Sequence, residues 1–405
     1  MLKKFHHPTM FCLLAGHFFI LLSSASVQSN EFEMRGNIEI QGRFFLQDPL
    51  SPSQHDQQLS FAAAPEFYWS WNDGMDSFEF VPSARVDQHD NERTHVDVRE
   101  FSWVHVGDDW ETRIGVRRDF WGVTEFQHLV DIINQSDSVE DVDNEDKLGQ
   151  PMVNLSVVKD WGIVDFYLLP YFRERTFAGP EGRPGIPFVD TNDALYESSK
   201  EEEHLDWAIR WAHSINNLDL ALSWFEGTSR EPVFVPRIAA ADQFLLTPFY
   251  QQISQLGIEL QLSGDTAIWK LESIRNENNR EDFWAVQAGV EYTQYGIFES
   301  NADLGWLVEY AWDERGKRGG TNFQNDVFLG ARLALNDEQS TEILAGFSYD
   351  LDFHSTSILI EASRRFGDSV KVSLDARLFN SDEPLDQLFL IRKDDHVQLT
   401  MQYYY

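Results

Sequence analysis

From Met34 onward, apolar and polar residues alternate in short runs, and clusters of Gly, Asn, Asp and Ser separate the runs. Successive side chains of a strand point to opposite faces, so this period of two predicts strands with one apolar and one polar face. In Met34 to Leu46, the first run, Ile38, Ile40, Gly42 and Phe44 oppose Asn37, Glu39, Gln41 and Arg43. Phe61, Ala63, Pro65, Phe67, Trp69 and Trp71 share a face, and Asn72-Asp73-Gly74 then turns the chain toward Phe78, Phe80, Pro82, Ala84 and Val86. Leu256, Ile258, Leu260 and Leu262 oppose Gln255, Gly257, Glu259 and Gln261, and Val370 to Leu378 repeats the pattern around Lys371, Ser373, Asp375 and Arg377. The last run, His396 to Tyr405, places Val397, Leu399, Met401, Tyr403 and Tyr405 on one face.

Short turns and longer polar segments take turns along the chain. Candidate short turns lie at Asn72-Asp73-Gly74, Gly107-Asp108-Asp109, Asp160-Trp161-Gly162, Ile215-Asn216-Asn217, Ser263-Gly264-Asp265, Asn336-Asp337-Glu338 and Phe366-Gly367-Asp368. Between them fall Gly122 to Gln150, Thr176 to His204, Ser229 to Gln251, Glu314 to Gln324 and Asn380 to Asp395. This rhythm predicts an all-β, transmembrane antiparallel up-and-down barrel of about eighteen strands, with about sixteen as the alternative count. Phe101 to Val106 fits either parity, and Tyr295 to Asn301 makes a long turn on the short-turn side.

The polar faces are too charged for a packed interior, which a water-filled lumen accommodates. The same alternation explains a mean hydropathy of only −0.39 in a chain read as spanning a membrane. Trp69, Trp71, Trp103, Trp110, Trp207, Trp306 and Tyr403 fall near strand ends, where aromatic girdles sit at lipid-water interfaces. Ahead of the strands, Lys3 and Lys4 precede the apolar Phe11 to Leu22 and the small residues Ser23 to Ser29, the order of a secretory signal peptide. The expected division is a signal over residues 1–29, with cleavage after Ser26 as the alternative, followed by one barrel domain over 30–405. The single cysteine, Cys12, lies in that leader, so disulfides, cysteine-metal sites and thiol catalysis are excluded from the barrel. The formal net charge of −35 makes nucleic acid an improbable partner. The acid is concentrated in Asp137 to Asp146 and Glu197 to Glu203, which read as solvated loop segments.

Val96 to Asn134 carries the most chemistry: Val-Asp-Val-Arg-Glu-Phe at 96 to 101, Arg113-Ile114-Gly115-Val116-Arg117-Arg118, and Trp121-Gly122 before a long loop. These motifs resemble the Gram-negative porin and alginate-export-like superfamily of outer-membrane barrels, and the architecture resembles it over nearly the whole of residues 30–405. The Arg-Ile-Gly-Val-Arg-Arg spacing departs from that family's pattern. The terminal strand likewise resembles the one by which the outer-membrane assembly machinery recognises its clients. The resemblance implies a porin-like channel for passive or facilitated diffusion of small hydrophilic solutes in a Gram-negative outer membrane. The assembly machinery, outer-membrane lipid and lipopolysaccharide would be its partners, and no cofactor is implied. Exporters of anionic polysaccharide, organic-acid channels and loop-plugged surface-binding or structural barrels are the alternatives.

On the strand reading, Arg85, Asp87, Asp97, Arg99, Arg113, Arg117, Arg173 and Arg210 point into the lumen, where opposed charges would set a transverse field. Self-satisfying wall pairs are the competing account of the same residues. The loop Gly122 to Gln150 begins apolar with Phe126, Leu129, Val130, Ile132 and Ile133 and ends acidic, which suits a loop folded into the lumen as a constriction. Asp131 and Asp137 would then face the arginines. The acidic run lacks the glycine and terminal spacing of an EF-hand, so no metal is expected. No enzymatic site is expected either. Asp350, Asp352 and His354 lie far from Asp87 and His89 around a wide barrel, and His213 and Ser214, being adjacent, point to opposite faces.

Overall fold

The computed structural model describes residues 30–405 apart from 187, 239–243 and 322, so the leader and its cleavage position lie outside the described residues. Eighteen strands form one antiparallel sheet that closes on itself. In chain order they are β1 (Glu31–Phe45), β2 (Gln57–Trp71), β3 (Asp76–Asp87), β4 (His95–Val106), β5 (Trp110–Arg117), β6 (Gln150–Lys159), β7 (Gly162–Leu169), β9 (Asp206–Ile215) and β10 (Leu218–Thr228), then β13 (Gln252–Ser263), β14 (Ala267–Asn278), β15 (Asp282–Gln294), β16 (Asp303–Asp313), β17 (Asn325–Ala334), β18 (Glu342–Asp350), β19 (Thr356–Phe366), β20 (Val370–Asn380) and β21 (His396–Tyr404). The intervening β8 (Leu195–Tyr196), β11 (Val233–Ile238) and β12 (Phe244–Tyr250) build a small separate sheet from two of the long loops.

Each barrel strand pairs with its neighbours in sequence, and β21 returns to pair with β1 from Asn37↔Tyr404 to Phe45↔His396. Closure leaves no unpaired edge, the condition for a sheet to cross hydrocarbon. The alternation sorts as the chemistry requires. Ile38, Ile40 and Phe44 face outward while Glu39, Gln41 and Arg43 are buried inside, and Trp306, Val308, Tyr310 and Trp312 are exposed on the outer wall of β16. His95–Val106 is one strand, which settles the parity of Phe101 to Val106.

One end carries the connections 72–75, 107–109, 160–161, 216–217, 264–266, 295–302, 335–341 and 367–369; the other carries the long ones, with 88–94, 279–281 and 351–355 as short exceptions. At the long-loop end, residues 170–205 cross the mouth. The buried Arg183 guanidinium donates to Asp394 at 2.8 Å and to the Gln47 carbonyl at 3.2 Å, and Gly179 N–H donates to Asp90 at 3.1 Å, so three distant loops are tied together.

The last residue takes part in closure: Tyr405 and Gly36 exchange backbone hydrogen bonds of 3.1 and 3.2 Å. Removing Tyr403 to Tyr405 strips β21 of its pairs with Ile38 and Val370 as well as an outward aromatic anchor. The expected result is a clear loss of heat-modifiable barrel on gel electrophoresis of membrane fractions; an unchanged amount would contradict this role for the terminal strand.

Candidate functional site

Residues 118–149, between β5 and β6, fold into the barrel and touch its inner wall on opposite sides. Two features of the preceding strands aim the segment. In β4 the register shifts between Val81↔Glu100 and Pro82↔Val98, leaving Arg99 as an extra residue. A bulge lets consecutive side chains reach the same side: Arg99 reaches Asp137 and Glu140, and Glu100 accepts from the Arg118 N–H at 3.0 Å. In β5, Gly115 has φ +141°, and a Cβ there would lie 2.0 Å from the Phe101 carbonyl oxygen, so glycine is required inside the Arg-Ile-Gly-Val-Arg-Arg motif.

The first half of the loop is held by packing and by wall carboxylates. Trp121, Val130, Ile132 and Ile133 form a buried apolar cluster with Met152, Tyr167, Phe225, Ile253, Ile274 and Phe283 of β6, β7, β10, β13, β14 and β15. Glu272 of β14 accepts from the N–H groups of Val123 (2.7 Å), Thr124 (2.9 Å) and Val130 (3.3 Å) and from the Thr124 hydroxyl (2.6 Å). Glu309 of β16 accepts from the N–H groups of Glu125 (2.8 Å) and Phe126 (3.0 Å). Backbone donors at membrane depth need such partners, and here the wall supplies them as charged acceptors. Gly122 permits the approach: it has φ +136°, and a Cβ would meet Glu272 Oε1 at 3.0 Å and His128 at 2.9 Å.

The second half is held with reversed polarity, by wall arginines. Glu140 Oε2 lies 2.7 Å from Arg85, which also binds Glu39 at 2.9 Å. Arg93 and Arg99 stand 3.8 and 3.7 Å from the same carboxylate. Arg377 of β20 takes Asp143 at 2.9 Å and Glu361 at 2.8 Å. The halves are joined by His128 to Glu145 (2.9 Å) and Lys147 to Asp131 (2.9 Å). Burial alone would raise the Glu140 carboxyl, yet Arg85, Arg93 and Arg99 hold it at about 2. Burial works against the His128 imidazolium, but Glu145 and Glu272 lift it to about 10. Burial together with Glu140 and Asp141 raises Asp146 to about 6, and burial beside Asp141 raises Asp143 well above the usual carboxylate range.

The signs of these shifts oppose one another. His128, Asp143 and Asp146 are raised, so their stabilising contributions are complete at acid pH and fade as pH climbs through the shifted values, up to about 10 for His128. Glu140 is depressed, so its contribution is present above the ordinary 4.5 and is lost only as pH falls through about 2. The loop is therefore expected to be held most firmly near pH 4 and to loosen progressively as pH rises from there to about 10. Single-channel fluctuations recorded across that range check this; fluctuations that grow toward pH 5 would contradict it.

The structure distributes the candidate residues unevenly. Arg85, Arg99 and Asp137 meet at the Glu140 end of the loop, with Asp137 2.6 Å from Arg99. Asp87 pairs with Arg93 at 3.0 Å, a buried contact beside that cluster. Arg113 and Arg117 lie on the inner wall of β5 beside Glu111 and Asp119, and Arg210 makes a bidentate pair with Glu259, both contacts at 2.9 Å. Two placements differ from expectation. Arg173 is not on a strand, because β7 ends at Leu169; it reaches back from the following loop to Asp97 at 2.9 Å. Asp131 faces Lys147 and the Trp121 N–H instead of an arginine, because the chain doubles back within the loop itself.

Glu140, Glu272, Glu309, Arg43, Arg93 and Arg377 were not singled out from sequence. Their inward face is readable from alternation for the strand residues, but nothing local marks the loop as their partner. His95, Asp137 and Glu140 place oxygen and nitrogen atoms within 4.8 Å of one another, a spacing that suits a metal. Arg85, Arg93 and Arg99 already balance those carboxylates, so a cation would have to displace guanidinium. At the rim, Asp350 accepts from the Asp352 and Phe353 N–H groups and His354 pairs with the Tyr349 hydroxyl, which are turn-forming bonds.

No family model matches the sequence, and no curated protein matches it. Among solved structures, a Rh. blastica porin variant is similar over 93% of this chain and 100% of its own, at 11% identity and a TM-score of 0.45. A loop-deletion variant of OmpT, an outer membrane protein of Vibrio cholerae, is similar over 93% of this chain and 100% of its own, at 8% identity and a TM-score of 0.48. Neither likeness is close enough to say what crosses this barrel.

Proposed function

We propose that this protein is a porin-like channel of the Gram-negative outer membrane, of the porin and alginate-export-like kind, through which small hydrophilic solutes diffuse, with the loop 118–149 as its constriction. The observation that carries the reading is the sorting of the closed wall, apolar outside and charged inside, around a loop docked within the lumen. Lipid and lipopolysaccharide would contact the outer face, and the barrel assembly machinery would insert it. Export of an anionic polymer is less well supported, because Arg85, Arg99 and Arg210 already face carboxylates. A plugged barrel is favoured by one observation, that the loop spans the lumen.

Purified protein in a planar bilayer separates the two. Ohmic conductance steps are expected of a channel, and their absence at any voltage would favour the plug. A second expectation concerns Arg113 and Arg117, whose inner-wall positions leave them near water. Replacing both with glutamate should move the reversal potential in a salt gradient toward cations, because fixed lumen charge sets local ion concentration.

A further inference from the structure

Taking the channel reading as its basis, we infer that the passage runs between the docked loop and the wall made by β18 and β19, and that it favours cationic over anionic solutes. The route follows from what the loop seals. Its apolar half packs on β6, β7, β10, β13, β14 and β15, and Glu272 and Glu309 bind its backbone from β14 and β16. Its acidic half is fastened to β1, β3, β4 and β20, through Arg43, Arg85, Arg99 and Arg377. On the remaining side the loop reaches β17, where Phe126 stacks on Phe328 with ring centroids 4.6 Å apart and Glu125 pairs with Arg332. Among the described residues, no hydrogen bond or ion pair joins the loop to β18 or β19. β2, β15 and β21 each lie between two strands that bind the loop, so β18 and β19 make the only two-strand sector between anchored neighbours, β17 and β20, apart from the apolar-packed side.

The inner face there is open on one side only: Gly346 and Ser348 of β18 are buried, whereas Ser357, Leu359, Glu361 and Ser363 of β19 are partly accessible. The inner positions of β18 and β19 include Gly346, Ser348, Ser357 and Leu359; the two serines bond each other at 2.6 Å, and the glycine lies under Leu359 and Phe328. Phe328 and the loop's Phe126 cover the β18 side at Gly346, so the open part of this face is the β19 side, at Ser357, Glu361 and Ser363.

The charge around this gap is unbalanced. Arg332 already serves Glu125 and Glu291, and Arg377 already serves Asp141, Asp143 and Glu361. Glu145 and Glu361 remain substantially exposed, with side chains 51% and 38% accessible. A surplus of carboxylates at a constriction raises the local concentration of cations and repels anions. Beside the gap, Arg332 and Arg377 are engaged by the loop's carboxylates, and Arg365 of β19 lies over the Tyr404 ring at its short-turn end.

The test uses the full chain, its leader cysteine Cys12 replaced by alanine, with single thiols introduced at Ser357→Cys and Ser363→Cys on the inner face of β19. Ser223→Cys, buried on the sealed β10 wall beside Gly257, which itself lies against Val130 of the loop, is the comparison. A bulky cationic thiosulfonate is added while conductance is recorded. Modification at either β19 position should remove about half of the conductance or more, and modification at Ser223→Cys should change it little. Separately, Glu361→Gln with Asp375→Asn should lower the cation-over-anion permeability ratio by about twofold. Block at Ser223→Cys without block on β19, or block at none of the three, would overturn the route. A wild-type channel that prefers anions would overturn the solute class. A wild-type barrel with no conductance at all would overturn the channel reading itself, a result distinguishable from the others before any thiol is added.

Discussion

Glu140→Ala should release the acidic half of the lumen loop while the barrel remains assembled. The Glu140 carboxylate sits between Arg85, Arg93 and Arg99 and is the point where a single loop side chain engages the wall of β3 and β4. The guanidiniums are not stranded by its loss: Arg85 keeps Glu39, Arg93 keeps Asp87, and Arg99 keeps Asp137. The cost is therefore nearer to that of charge-assisted hydrogen bonds, about 2–3 kcal/mol, than to that of an orphaned buried ion. Spent on loop docking, 2–3 kcal/mol shifts the docked-to-released ratio by roughly 30-fold to 150-fold. Single-channel traces should show frequent transitions to a larger conductance, and heat modifiability should be unchanged. A quiet trace at wild-type conductance would mean that the apolar half alone positions the loop. Glu140→Gln, which keeps the shape and loses the charge, is expected to fall between the two.

Deleting 137–146 altogether should have a larger effect, raising conductance by about twofold if the loop is the constriction. The structure supplies the splice point, because Ser136 and Lys147 already pair as an antiparallel bridge and a short link between them need not move either strand of the barrel. No barrel strand pairing involves the deleted residues, so assembly should proceed. The matching deletion of 197–203 removes a segment that includes the exposed turn Glu201–Glu203 at the mouth, and conductance should change little. Opening by the second deletion and not the first would place the constriction in the crossing loop 170–205 instead.

Much of the architecture is legible in the sequence, for a local reason. A strand's two faces meet different solvents, so Ile38, Ile40 and Phe44 on one side and Glu39, Gln41 and Arg43 on the other record the wall directly in the sequence. Turn residues at Asn72-Asp73-Gly74 and Asn216-Asn217 record parity in the same way, since left-handed backbone at Asn72, Asp73 and Asn216 suits few other side chains. Strand count and the inward face of Arg85, Arg113 and Arg210 follow from that local alternation.

The site was not local, and only the tertiary structure decided it. Glu272 meets Val123 across 149 residues, and Arg377 meets Asp143 across 234. Acidic residues in a loop are read as solvated because solvation is their ordinary state; whether guanidiniums wait for them depends on which strands closure brings opposite. The bulge that brings Glu100 to the same side as Arg99 is one extra residue in β4, invisible until its partner strand is in register. Alternation thus determined the wall and its two faces, while the closing of the barrel determined which wall charges meet the loop.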